Sequence, residues 1–244
     1  MKWTVTRLKT AVPQILTSWS PAPLRDGRFH PWRTSVCAGH HAAMDADSSR
    51  PAPTLIRVVV VDDHPAMRAG IAAVLDAAPD LQFVGEAAEA NELWPVLTRT
   101  DPDVVLVDFH LPDEDGLLLC HRIKRMAPAP RVVVNSAYAD ESLVAPAMLA
   151  QADALVAKHA SSAVLCETLR DVVREPRPAS QLAPELRERL VALLEPDEVA
   201  LVGLLLLRTP TDEVMRTTGL TGQQFDERVE RLLRRISSAH GLPV

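Results

Sequence analysis

Glycine is scarce in this chain of 244 residues: there are nine. No Gly-rich dinucleotide loop and no Walker-type Gly-Lys-Ser/Thr loop can be read in it, which removes most nucleotide-dependent enzymes. Cysteine is scarcer still. Cys37, Cys120 and Cys166 show no paired spacing. A disulfide scaffold is excluded, and a reducing, cytoplasmic compartment is expected. The longest apolar stretch, Val199 to Leu207, is about half of what a membrane span needs, so no membrane association is expected. No helix carries a metal-ligand pattern such as His-Glu-x-x-His and no nucleophile sits in a recognisable elbow, so no enzymatic output is expected.

What is present divides the chain by charge and by period. Residues 1–54 carry 7 Lys/Arg against 3 Asp/Glu, residues 55–174 carry 10 against 18, and residues 175–244 carry 9 against 11. The first segment has no sustained periodicity. Prolines at 13, 21, 23, 31, 51 and 53 interrupt it, and it reads as a disordered N-terminal extension. A stretch typical of a soluble N-terminus opens at Met44, so residues 1–43 are expected to be dispensable for folding. Cys37, His40 and His41 lack the second pair that a tetrahedral metal site needs.

Residues 55–174 alternate cleanly. Strands are expected at Ile56–Val61, Leu81–Gly85, Val104–Val107, Val132–Val134 and Leu155–Ala157. The intervening helices are Pro65–Ala77, Ala88–Thr98 (with Pro95 as a kink or early stop), Gly116–Met126, Glu141–Leu149 and Ser162–Val173. Five β–α units predict an α/β fold, a doubly wound parallel sheet with helices on both faces. Prolines 176, 178 and 184 then mark a linker with a linker helix over 175–194. The last 50 residues, 195–244, read as a small all-α domain.

In an open parallel sheet, chemistry collects at the carboxyl ends of the strands. Those ends carry Asp62 and Asp63, Asp108, Asn135-Ser136 and Lys158. Three carboxylates brought close repel. A pair 4 Å apart costs about 4 kcal/mol at an effective dielectric near 20. A cation among them is therefore required, and hard oxygen ligands suit Mg²⁺. For any one of these residues a helix cap or a surface charge is an adequate explanation; five at matching strand ends are not explained that way.

Val-Asp-Asp-His-Pro at 61–65, Val-Leu-Val-Asp-Phe-His-Leu-Pro around Asp108 with Gly116, Asn135-Ser136-Ala137 and Ala157-Lys158 resemble a response-regulator receiver domain of the NarL/FixJ branch. The resemblance implies that Asp108 accepts a phosphoryl group from a sensor histidine kinase. It also implies that Asp63, Asp108 and the His110 backbone carbonyl ligate Mg²⁺ with Asp62 in support, and that Ser136 and Lys158 contact the phosphoryl group. The switch position, usually aromatic, is Leu155. The usual Gly-Ala-Asp/Ser-Gly turn is Gln151-Ala152-Asp153-Ala154. Positions that border the path of attacking water hold bulky His110 and Tyr138, which implies slow autodephosphorylation.

The C-terminal segment resembles a divergent LuxR-type or sigma region-4-like helix-turn-helix output domain. A helix begins at Asp212 and closes at Gly219, and Thr221 with Gln224 caps the next, Gly222–Ile236. On that last helix Phe225, Val229, Leu232 and Ile236 form one stripe, expected to pack on the preceding helices. Gln224, Arg228, Arg231 and Arg235 lie on one flank and are the candidate DNA contacts. Two functions are carried forward. One is a phosphorylation-controlled transcription regulator that binds DNA and dimerises when phosphorylated. The other is a signalling adaptor whose helical module binds a protein, its arginines merely forming ion pairs.

Overall fold

The computed structural model describes residues 55–137, 139, 141–174 and 182–239. The readings made of residues 1–54 and of Tyr138 lie outside them. Five strands, β1 (Ile56–Val61), β2 (Leu81–Ala87), β3 (Val104–Asp108), β4 (Arg131–Ser136) and β5 (Ala154–Ala157), form one parallel sheet in the order β2-β1-β3-β4-β5. Between and after them run α1 (Pro65–Asp76), α2 (Ala90–Thr100), α3 (Gly116–Lys124), α4 (Glu141–Leu149) and α5 (Ser162–Arg174). The doubly wound α/β fold is as expected.

The period-2 geometry of a strand explains why β1 and β3 are continuous apolar runs. Val58, Val60, Val104 and Leu106 face α1 and α5, in a core with Ile71, Leu75, Leu169 and Val172. Val59, Val61, Val105 and Val107 face the other way, into a second core with Leu93, Leu97, Leu118 and Leu143 of α2, α3 and α4. Of the kink or early stop expected at Pro95, the early stop does not occur. The helix runs through it to Thr100, with Leu93, Val96 and Leu97 buried. Burial of that apolar face outweighs one missing amide hydrogen bond.

Four helices follow: α6 (Pro184–Ala192), α7 (Val199–Leu206), α8 (Thr211–Thr218) and α9 (Gly222–Ala239). Gly219 closes α8 with φ 73°, left-handed as expected. The place of α9 differs from the expectation. Its stripe of Phe225, Val229, Leu232 and Ile236 is buried, together with Leu233. However, α9 packs mainly against α3 and α4 of the α/β domain, and α6 and α7 also lie on α4. One core therefore runs from the sheet through α4 into the C-terminal helices. The physical reason lies in α4: residues 143–150 are all buried, so this helix has no polar side to offer water. The linker helix α6 is part of the same packing through Leu190.

Polar contacts fix the docking. Gln151 has φ 65°, a conformation that disfavours a side chain. Its Nε2 donates to the Leu205 carbonyl at 3.0 Å, and its Oε1 accepts from Arg208 at 3.4 Å. Arg208 also donates to the Ala152 carbonyl at 3.3 Å, and burial pushes its pKa down to about 10. On the other side, Asp226 of α9 forms an ion pair with Arg125 at 2.8 Å and lies 3.2 Å from His121 Nε2.

Candidate functional site

Strand register brings the predicted residues to one rim. Val61 pairs with Val107, Asp108 with Asn135 and Ser136 with Ala157. Asp62, Asp63 and Lys158 lie one or two residues past the ends of their strands. Asp62, Asp108 and Ser136 are almost wholly buried. Lys158 reaches into them: Nζ is 2.5 Å from Asp108 Oδ2 and 2.9 Å from Asp62 Oδ2. The Lys158 amide donates to the Ser136 carbonyl at 2.9 Å, which ties the β5 end to the β4 end. Two turn amides hold the carboxylates. His64 N–H donates to Asp62 Oδ1 at 2.8 Å, and His110 N–H donates to Asp108 Oδ1 at 3.2 Å.

The loop after Asp108 is folded tightly against it. The Gly116 amide donates to the Phe109 carbonyl at 2.9 Å. A Cβ at Gly116 would lie 2.1 Å from the Asp108 carbonyl oxygen, so no side chain fits. Asp115 caps α3 by accepting from the Leu117 amide at 2.7 Å.

Burial raises the Asp108 pKa above the ordinary carboxylate value, and Asp62 adds to the rise while Lys158 opposes it. Burial also opposes the Lys158 charge, but Asp108 and Asp62 outweigh it and hold the ammonium above its ordinary value. Donor atoms of Asp62, Asp63, His64 and Asp108 all lie within 4.8 Å of one another. Three carboxylates against one ammonium leave negative charge to be balanced. Asp62 Oδ2, in a side chain 1% exposed, receives no well-aligned hydrogen bond. An oxygen-rich, negatively charged set of this kind fits a hard divalent cation such as Mg²⁺.

Leu155 is half-buried on β5 beside Val134 and packs against the core shared with the C-terminal helices. The candidate DNA residues are not a free basic face. Gln224 is spent on a capping box: its Oε1 accepts from the Thr221 amide at 3.0 Å, and its amide donates to Thr221 Oγ1 at 3.3 Å. Arg228 pairs with Asp197 at 2.9 Å. Arg235 pairs with Glu195 at 3.2 Å and with buried Glu198. Arg231 is exposed. The expected sorting of charge along α9 overlooked the acids at the start of α7, which lie next to it in space and 30 to 40 residues away in sequence. Sequence reasoning also passed over His64 as a donor beside the carboxylates, although its place in Asp-Asp-His-Pro was in plain view.

Comparisons with known proteins agree with this geometry. The model of the response regulator receiver domain matches residues 58–170. The transcriptional regulatory protein LiaR of Bacillus subtilis is 31% identical over 137 residues, 56% of this chain and 65% of that protein. The probable transcriptional regulatory protein NarL of Mycobacterium tuberculosis is 33% identical over 147 residues, 58% of this chain and 68% of that protein. A protein-glutamate methylesterase/protein-glutamine glutaminase of Agrobacterium fabrum is 43% identical over 94 residues, 37% of this chain but 27% of that protein. Among the described residues, no helix is long and apolar enough to cross a membrane. With an acidic rim on a five-stranded parallel sheet and relatives of this kind, the chain belongs to the two-component response regulators, through a receiver domain of the type found in transcription regulators such as LiaR and NarL.

Proposed function

We propose that this chain accepts a phosphoryl group on Asp108 from a phosphohistidine of a sensor histidine kinase and thereby regulates transcription through its C-terminal helices, in the cytoplasm and without an enzymatic output. The observation that carries the reading is the convergence of Lys158 and Asp62 on the buried Asp108 carboxylate at the rim of the sheet.

Phosphoryl transfer is largely positioning and charge stabilisation. The donor's phosphorus–nitrogen bond breaks as an Asp108 oxygen bonds to phosphorus. The His110 amide holds Oδ1, and Lys158 beside Oδ2 is placed to balance charge on the incoming phosphoryl oxygens. Asp63 and Asp108, with Asp62 in support and the His110 carbonyl, would hold Mg²⁺, which supplies further positive charge there. Ser136 bridges the phosphoryl group to the loop that leads into α4, the helix on which α6, α7 and α9 rest. A change at Asp108 therefore reaches the C-terminal helices through one short connection. The phosphorylated form is expected to be a homodimer on DNA, with Gln224, Arg228, Arg231 and Arg235 turned to it once α9 is free.

The second reading, a protein-binding adaptor, is favoured by the engagement of Gln224, Arg228 and Arg235 within the chain. Two measurements separate the readings. Wild type, but not Asp108→Asn, takes up phosphate in the presence of Mg²⁺ from a small phosphodonor. Phosphorylated wild type binds DNA with a steep salt dependence in fluorescence anisotropy. Phosphate uptake without DNA binding replaces the regulator with the adaptor, and equal labelling of Asp108→Asn overturns both.

A further inference from the structure

The His64 imidazole has no part in the chemistry described so far, yet it stands beside the carboxylates. Its amide donates to Asp62 Oδ1, its backbone is extended at φ −87° and ψ 108°, and Pro65 opens α1 directly after it. This turn brings the imidazole back over the carboxylates. Nδ1 is 2.5 Å from Asp63 Oδ1 and 3.3 Å from Asp62 Oδ1. One donor atom from each of Asp62, Asp63, His64 and Asp108 falls in a set spanning at most 4.8 Å. Opposite ligands of a six-coordinate ion of this size stand about 4 Å apart. The four groups can therefore close on one ion with shifts of less than about 1 Å. The Asp62 oxygen nearest the ring is Oδ1, while Oδ2 is turned to Lys158 at 2.9 Å, so Oδ1 is the oxygen that an ion beside His64 would meet. The His64 side chain is 67% exposed, so the ring is free to turn toward an ion without disturbing a core.

We propose that His64 is a nitrogen ligand of the receiver's divalent-cation site and shifts that site's preference from Mg²⁺ toward Mn²⁺. The proposal rests on the cation-binding reading above. Mg²⁺ is hard and keeps its water in preference to an imidazole, whereas transition-metal ions gain from nitrogen ligation. The rival role for His64 is a tether that holds the Asp63 carboxylate by an ion pair. A tether supports any cation equally and leaves no nitrogen on the metal.

The test uses the full chain loaded with Mn²⁺ and electron spin-echo spectroscopy, with Mg²⁺ and Mn²⁺ affinities from calorimetry. A directly bound nitrogen is expected in wild type, retained in His110→Asn and lost in His64→Asn. Growth with ¹⁵N-histidine changes its pattern in wild type, which keeps the result readable if a variant does not fold. His64→Asn is expected to weaken Mn²⁺ about tenfold and Mg²⁺ less than twofold. Absence of a nitrogen signal, or equal weakening of both ions, overturns the ligand role and leaves the receiver's cation site standing. Binding of neither ion by wild type overturns the cation reading itself.

Discussion

At Asp108, burial works against the charge that the chemistry needs, and Lys158 offsets part of that effect. Removing the ammonium leaves two buried carboxylates facing each other. Lys158→Ala is therefore expected to raise the Asp108 pKa further and to cut phosphate uptake by about tenfold at neutral pH, measured by labelling across a pH series. Gly116 offers a sharper steric test. A methyl group 2.1 Å from the Asp108 carbonyl oxygen must push the acceptor strand or the loop aside. Gly116→Ala should cost about 1–3 kcal/mol in urea unfolding and slow phosphorylation as well. His110 borders the acceptor, and its replacement by Gly should shorten the phospho-Asp lifetime, followed by release of phosphate from the labelled protein.

Among the elements, the strands and the rim were legible because both depend on local rules. Runs of valine state that both faces of β1 and β3 are covered, and an acid at the end of a buried strand states where the charge collects. The docking of α9 was not legible. An amphipathic stripe says that a helix packs, but not on what. The one clue was α4, whose Leu143–Ala150 run has no polar side and so asks for cover beyond the sheet. Arg235 shows the same gap between sequence and space. Expected at a DNA phosphate, it is here paired with Glu198, which is 3% exposed. Arg235→Ala should destabilise the chain by about 3 kcal/mol in the absence of any DNA, seen as a lower urea midpoint. His121 gives the interface a pH dependence. Burial lowers its pKa below the ordinary value, Asp226 opposes that shift and Arg125 reinforces it, and Arg122 lines the same cavity. The unfolded chain therefore binds the proton more tightly, and stability falls as pH drops below about 6.5. Comparison of urea midpoints at neutral and mildly acidic pH should show that loss in wild type and a smaller one in His121→Gln.

For the molecule as a whole, the receiver and the C-terminal helices share one hydrophobic core. The core that begins under β1 ends at Ile236. Gln151, held at φ 65° where a glycine would be at ease, has its side chain engaged with Leu205 and Arg208 across the boundary. Such a residue makes sense only with its partner helix in place. The receiver cannot then be treated as an interchangeable part. Cut out at residue 174, or spliced to the output helices of another regulator, it would carry an exposed greasy wall along α3 and α4 and a strained turn with nothing to hold. Sedimentation should find such a fragment self-associated, and the unphosphorylated full chain should not match it. Swapping the output here would require moving α4 and its turn along with the helices they carry.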